Sequence, residues 1–301
     1  MHTHVTSVGL LVCTDPALNF SYPDHIPRAC LDALPPQPGI YIFRDEAGIP
    51  VYIGKSVNIR HRVLSHLRTA GEAQMLARTR HIDHERTGGE IGALLREAQL
   101  IKQHQPVFNV KLRRTREMCS IRIDGSSPQV VFARELDFGR TEGLFGLFQT
   151  PKAAQETLRE LAQSAGLCAV LTGLEKGTPG RPCFARQIKR CHGACTGEES
   201  PAAHAARMLA ALAPLKVAPW PYPGPIAIVE KSDGLRQRAL VDNWCYLGTS
   251  TSLGKGRAAV KAKAPARFDV DVYRILAKPL LRGELTVESL QAACSPGAES
   301  K

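Results

Sequence analysis

Residues 34–110 carry the most readable alternation of apolar and polar positions in the chain. Leu34-Pro35-Pro36-Gln37-Pro38-Gly39 is a stiff turn segment. It leads into two short β-branched and aromatic runs, 40–44 and 51–54, separated by Asp45-Glu46-Ala47-Gly48-Ile49-Pro50. That composition around a Gly- and Pro-containing loop predicts a β-hairpin. Asn58 can then cap a helix in which Ile59, Val63 and Leu67 recur at i, i+4 and i+8. A second helical stretch is expected over 72–80 and a third strand over 81–87. The clearest helix spans 90–103, where Ile91, Leu94, Leu95, Ala98 and Ile101 form one apolar stripe, and Pro106 stops it.

The remainder is patterned more loosely. Residues 1–33 have no strong period and read as an irregular arm. A strand pair is expected over 120–131 around Asp124-Gly125, an amphipathic helix over 151–166 with Leu158 and Leu161 on its buried side, and an Ala- and Leu-rich helix over 202–215. Trp220-Pro221-Tyr222-Pro223-Gly224-Pro225 reads as a semi-rigid linker, after which 226–229 and 238–244 can pair as strands. The expected fold class is α+β: a small three-stranded antiparallel sheet with helices, a cysteine-rich helical region, and a small C-terminal α/β module. The corresponding boundaries are an N-terminal arm (1–33), the first domain (34–116), the cysteine-rich region (117–219) and the C-terminal module (220–301).

Composition narrows the function. With 44% hydrophobic and 22% charged residues in 301 positions, the chain has an ordinary globular make-up. The only apolar run near the N-terminus, 8–13, is too short to span a bilayer and lacks a basic region before it, so a cytoplasmic protein is expected. The formal charge of +11 is concentrated: residues 55–116 hold 13 Lys or Arg against 5 Asp or Glu. A field of one sign at that density attracts phosphate backbones. Nine cysteines without an export signal argue for metal ligation over a disulfide framework.

Chemistry-bearing residues gather around the hairpin. Tyr41 and Tyr52 are equidistant from the middle of the loop, so a symmetric register makes them cross-strand neighbours with both rings on one face. Arg62 and His66, four apart on the next helix, share a face beside the Ile59 and Val63 stripe and read as an exposed pair. Lys55 sits at the end of the second strand, which places three potential cations beside the two phenols. Glu97 lies about 40° from Ile101 at the border of its helix's buried face, where a carboxylate either reaches for solvent or coordinates something. Asn109, beyond the helix-stopping proline, can return to the same neighbourhood.

Gly39-Ile40-Tyr41 and Tyr52-Ile53-Gly54, with Lys55, Arg62, His66, Glu97 and Asn109 following in order, resemble the motif of the GIY-YIG nucleases. Tyr52-Ile53-Gly54-Lys55-Ser56 and Leu94-Leu95-Arg96-Glu97-Ala98-Gln99-Leu100-Ile101-Lys102 are similar to the N-terminal domain of the UvrC family. The likeness to UvrC covers roughly residues 34–197, and the whole chain is similar to short UvrC homologues without UvrC's C-terminal nuclease and helix-hairpin-helix parts. His66 is a departure, since UvrC commonly has tyrosine there. The resemblance implies an excision-repair endonuclease that cuts a phosphodiester on the 3′ side of a lesion, in damaged double-stranded DNA marked by UvrA and UvrB. It implies a single Mg2+ or Mn2+ held by Glu97, Arg62 stabilising developing charge, Tyr52 as general base or proton relay, and Tyr41 and His66 orienting the water. A phenol near its ordinary pKa of ~10 is a poor base at neutral pH, so this role asks Lys55, Arg62 and the metal to lower it. The alternative is a DNA-binding scaffold that keeps the fold without the chemistry; the completeness of Tyr41, Tyr52, Arg62, Glu97 and Asn109 favours the enzyme.

Cys168, Cys183, Cys191 and Cys195 read as C-x14-C-x7-C-x3-C in a basic stretch with Arg181, Arg186, Lys189 and Arg190. Four thiolates at loop positions suit zinc or a [4Fe-4S] cluster, and spacing does not separate the two. Arg181-Pro182-Cys183 and Gln187-Ile188-Lys189-Arg190-Cys191 are similar to the cysteine region of UvrC, which implies the iron-sulfur cluster. The spacer after Cys168 is slightly longer than in UvrC, which sets Cys168 apart from the other three. Cys13, Cys30, Cys119, Cys245 and Cys294 are isolated.

Overall fold

The computed structural model describes residues 23–110, 117–125, 127–178, 180–263 and 265–291. The apolar run at 8–13, Cys13, Cys294 and the basic residues Lys111, Arg113, Arg114 and Arg116 lie outside the described residues. No helix among the described residues is long and apolar enough to cross a membrane.

Helix α1 (Arg28–Asp32) precedes the hairpin β1 (Gly39–Arg44) and β2 (Pro50–Ser56), then α2 (Ile59–Arg68), α3 (Ala73–Arg78), β3 (His81–Arg86) and α4 (Glu90–His104). The three strands form an antiparallel sheet in the order β2-β1-β3, so β2 is an edge. The hairpin closes locally: the Asp45 carboxylate accepts the N–H groups of Ala47 and Ile49, and Gly48 takes the left-handed φ of 76° that the turn requires. An irregularity between Phe43 and Arg44 shifts the register. Tyr41 therefore faces Gly54 and Phe43 faces Tyr52, so the two tyrosines are diagonal neighbours and not the directly opposed pair that a symmetric loop predicts.

The sheet has two differently used faces. Tyr41 and Phe43 pack with Ile59, Val63 and Leu67 of α2, a helix capped by the Asn58 side chain as the sequence indicates. Ile26, Cys30, Leu31 and Leu34 join that same core, so the described end of the N-terminal arm is part of the domain's packing. On the other face Ile40, Ile42 and Ile53 pack with Leu100 and Ile101 of α4. Leu95 points elsewhere, into a second core with Ile226, Ile228, Val241 and Trp244. Helix α4 is thus buried on two sides, which the single predicted stripe does not capture; Leu94 is only half-buried.

The middle region holds β4 (Cys119–Asp124), β5 (Ser127–Phe132) and β6 (Leu144–Phe148) in the order β5-β4-β6, packed by α5 (Pro151–Ser164) and α7 (Pro201–Leu212). The cysteine loop with the short α6 (Phe184–Gln187) lies between those helices in sequence. The C-terminal module has β7 (Ile226–Ser232), β8 (Leu235–Asp242), β9 (Cys245–Ser250), α8 (Leu253–Lys261), α9 (Val270–Leu281) and β10 (Val287–Ser289), with sheet order β10-β7-β8-β9. The segment before it, read as a linker, is packed: the Trp220 ring stands edge-on to Trp244 at 5.0 Å, and its backbone N–H bonds Gly139 at 2.6 Å.

Candidate active site and cysteine centre

The free edge of β2 organises the hairpin site. In an edge strand alternate residues present N–H and C=O groups away from the sheet, and here residues 51, 53 and 55 do so. Val51 O accepts the Phe108 N–H. Asn109 spends its whole amide on Ile53, accepting its N–H at 2.9 Å and donating to its C=O at 2.8 Å. The Lys55 backbone N–H donates to the Glu97 carboxylate. Helix α4, packed beneath the opposite face from the tyrosines, thereby delivers Glu97 around the edge to their side.

Both glycines of the paired tripeptides are sterically required. A Cβ on Gly54 would stand 2.3 Å from the Tyr41 hydroxyl, and one on Gly39 2.2 Å from the Glu85 carbonyl oxygen. Tyr41 is 1% exposed, and its ring lies 6.2 Å from Tyr52 and 5.3 Å from His66. His66 is 2% exposed, so it belongs to the aromatic core of the site and not to an exposed pair with Arg62. Its Nε2 is 2.7 Å from the Tyr41 hydroxyl, and its Nδ1 bonds the Glu72 carboxylate. An imidazole whose Nδ1–H donates to a carboxylate leaves Nε2 as the acceptor for the phenol. Glu72 escaped the sequence reading because it sits in a short 3₁₀ turn, Ala70–Glu72, six residues beyond His66 and outside any helical register with it.

Electrostatics separates these groups. Burial pushes the Tyr41 phenol well above its ordinary value, and the Tyr52 charge adds to this while Arg62 opposes it. Burial also raises Tyr52, with Glu97 and Glu72 adding to the rise and Tyr41 and Arg62 opposing it. The surroundings do not lower the phenol as the base role asks. Burial lowers His66 despite Glu72, which keeps the ring neutral at pH 7. Arg62 is exposed, and its guanidinium reaches the Tyr41 hydroxyl, which raises its own pKa. The Lys55 ammonium is committed elsewhere, to Glu90 at 2.5 Å, and its charge acts on Glu97. Burial nevertheless pushes Glu97 from 4.5 up to about 7.

Glu97 fits a divalent cation. It is a desolvated carboxylate held by one backbone N–H, and among the described residues no side chain forms an ion pair with it. Single oxygen donors of this kind suit a hard cation that keeps most of its waters. The site opens to solvent along Arg62, Lys55 and Tyr52. A cavity of about 700 Å³ lined by Cys30, Arg44, His81, Asp83 and Arg96 belongs to the β3 side and includes none of these residues.

The cysteine loop brings its thiols together. The sulfurs of Cys168, Cys183 and Cys195 lie within 4.8 Å of one another, with Cys168 and Cys183 4.0 Å apart. Cys168, set apart by its spacer, is inside this trio; Cys191 is buried beside it in the same cluster. Backbone N–H groups of Cys183 and Gly193 donate to the Cys195 and Cys191 sulfurs at 3.4 and 3.3 Å. Burial raises Cys168 and Cys191, whereas at Cys183 burial is outweighed by hydrogen bonds from the Arg186 N–H and its fellow thiols. Such a set of thiols suits deprotonation by a shared cation. His204, 1% exposed, accepts the Cys168 N–H at 3.0 Å.

Comparison with known proteins agrees in order along the chain. Residues 37–110 match the UvrC-like GIY-YIG domain, 118–214 the UvrC/Cho excinuclease middle domain, and 225–294 the excinuclease Cho C-terminal domain. Excinuclease Cho of Salmonella typhi is 47% identical over 276 residues, covering 91% of this chain and 93% of its own. The Escherichia coli K12 protein of that name is 45% identical, covering 93% and 96%. UvrABC system protein C of Nitrobacter winogradskyi is 39% identical over 54% of this chain and 24% of its own. A solved GIY-YIG N-terminal endonuclease domain of UvrC from Thermotoga maritima, bound to magnesium as its catalytic cation, is 32% identical over 28% of this chain and 94% of its own, with a TM-score of 0.26. The chain belongs to the UvrC/Cho excinuclease family and is an endonuclease of nucleotide excision repair.

Proposed function

We propose that the enzyme hydrolyses a phosphodiester on the 3′ side of a lesion, in double-stranded DNA already marked by UvrA and UvrB, using one divalent ion at Glu97. The observation that carries this reading is the meeting of Tyr41, Tyr52, Arg62, His66 and Glu97 at the free edge of β2. When bound, the ion supplies Lewis-acid neutralisation of the phosphate and the departing oxygen. Arg62, exposed at the rim, neutralises charge developing on the phosphate. Asn109 positions the strand that carries Tyr52 and does not face the substrate itself.

The proton path needs no lowered phenol pKa. Tyr52, the more exposed of the two tyrosines, takes a proton from the attacking water while passing its own to Tyr41. The Tyr41 proton moves to His66 Nε2, and Glu72 stabilises the resulting imidazolium. The neutral His66 thereby acts as base at a distance. Tyr52→Phe interrupts this chain at its wet end and should nearly abolish turnover.

The four cysteines serve structure more than redox chemistry, stapling a basic module that faces DNA. The family resemblance supports a [4Fe-4S] cluster. The compactness of the trio favours zinc as a second reading, because thiolates about 2.3 Å from one tetrahedral ion stand roughly 3.8 Å apart. Iron content and a broad absorbance near ~400 nm in anaerobically purified protein decide between them. A cytoplasmic location follows from the excision-repair reading.

The central test is incision of a lesion-bearing duplex, end-labelled on each strand in turn, with and without UvrA and UvrB, comparing the enzyme with Glu97→Ala. A cut 3′ to the lesion that needs both Uvr proteins and Glu97 is expected. Equal cutting of undamaged duplex without them would remove the proposed division of labour.

A further inference from the structure

Helix α4 begins without a cap of its own. Its N-cap is Gly89, which has no side chain to satisfy the free N–H groups of the first turn. Those groups are satisfied from the C-terminal module. One carboxylate oxygen of Glu230, on β7, accepts the Ile91 N–H at 3.0 Å, and the other accepts the Gly92 N–H at 2.6 Å. Gln237, its cross-strand partner on β8, accepts the Gly88 N–H at 2.9 Å. The approach is close: a Cβ on Gly88 would stand 2.7 Å from the Glu230 carbonyl oxygen, and one on Gly89 would stand 2.3 Å from the Glu230 carboxylate and push it off the helix start.

The same module holds the far end of the helix. Lys102 donates to Asp269 at 2.6 Å and pairs with Asp271 at 2.7 Å. Between these two grips Leu95 is buried in the module's core. Glu97 lies five residues after Gly92 and five before Lys102, about 7.5 Å along the axis from each at 1.5 Å per residue.

We propose that Glu230 is a positioning residue for the nuclease: by capping α4 from the C-terminal module, it sets where Glu97 stands against the Lys55 N–H, and so how well Glu97 holds a divalent ion. The proposal rests on the reading of Glu97 as the metal carboxylate. Removing the cap frees the first turn of α4, and a carboxylate that needs one backbone N–H and one cation in register loses that register. Groups outside the ligand shell that orient a ligating carboxylate typically change metal affinity tenfold to a hundredfold.

Mn2+ binding to the full-length protein, read by electron paramagnetic resonance of the free ion, tests this without relying on turnover. Glu230→Ala should weaken binding about tenfold or more, and Glu230→Gln, which keeps one acceptor oxygen, by less. Cleavage should follow, with the half-saturating Mn2+ rising while KM for DNA holds. Gly89→Asp in the Glu230→Ala background should restore both, because the vacated space admits the Asp side chain and supplies a cap from within the helix. Gly89→Asp alone should be impaired, since Glu230 occupies that space. If Glu230→Ala does not fold, the Gln variant and the double variant carry the comparison. Wild-type Mn2+ affinity in folded Glu230→Ala or Glu230→Gln overturns the proposal. Wild-type affinity in Glu97→Ala instead removes the metal reading of Glu97, and this proposal with it.

Discussion

Glu97 is held in a state of tension that pH can expose. Burial lifts its carboxyl from 4.5 to about 7, against the opposing charge of Lys55. Between those values the folded protein keeps a proton that the unfolded chain releases, so this residue's cost to stability is absent below pH 4.5 and complete above about 7. The full cost is on the order of 3 kcal/mol. Glu97→Gln removes it, so in chelator at pH 8 the variant should melt higher than the parent, with the advantage shrinking toward pH 5. Mg2+ at pH 8 should raise the parent and leave the variant unmoved. An advantage of the same size at both pH values would show that the carboxyl is not the source. Gly54 makes a steric case at the same scale. Gly54→Ala places a methyl group 2.3 Å from the Tyr41 hydroxyl, an overpacking that costs about 1–3 kcal/mol. Because the atom displaced is the phenol that bonds His66, cleavage should fall more steeply than the melting temperature; a proportionate loss of both would contradict this.

At the scale of elements, the hairpin, α2, β3 and α4 were legible because their apolar periods and breakers are local: Asn58 caps, Gly48 turns, Pro106 stops. The register was not legible. One irregularity at Phe43 and Arg44 moves Tyr52 from opposite Tyr41 to opposite Phe43, and nothing in the spacing of the two runs announces it. The candidate residues that meet at the hairpin were readable as an ordered motif, but their attachments were not. Glu72 and Glu230 act across turns and units where no helical or strand period links them to their partners. Strands β6, β9 and β10 and helices α8 and α9 passed unread, the strands being short and the helices lacking a breaker-bounded stripe as clear as that of α4. Asn109 shows how an element can hold a site that it does not touch. Asn109→Ala leaves the Ile53 N–H and C=O without their partners, at about 1–3 kcal/mol, and loosens the strand next to Tyr52. The expected signature is faster hydrogen exchange at the Ile53 amide and a lower kcat, with Mn2+ affinity close to the parent's. Slow exchange at Ile53 in the variant would mean that the edge is secured by something else.

The whole molecule is joined through its C-terminal module. On one side this module buries Leu95 and grips α4. On the other, Asn243 donates to Asp137 at 2.8 Å, and Phe268 meets Phe138 with ring centroids 5.9 Å apart. The nuclease unit therefore does not own the helix that carries Glu97 outright: Leu95 is buried among residues more than a hundred positions away, while Leu100 and Ile101 pack on the hairpin sheet. A core shared in this way should unfold as one. Both tryptophans of the chain, Trp220 and Trp244, lie in or against the module, so their fluorescence reports on it alone, while cleavage reports on the hairpin site. Leu95→Ala removes a fully buried side chain at a cost of about 2–5 kcal/mol, and the two probes should lose their signals at the same lowered temperature. Were the tryptophan transition to stay at its parental temperature while activity was lost earlier, α4 would belong to the nuclease unit alone, and the grip from the module would be a contact without consequence.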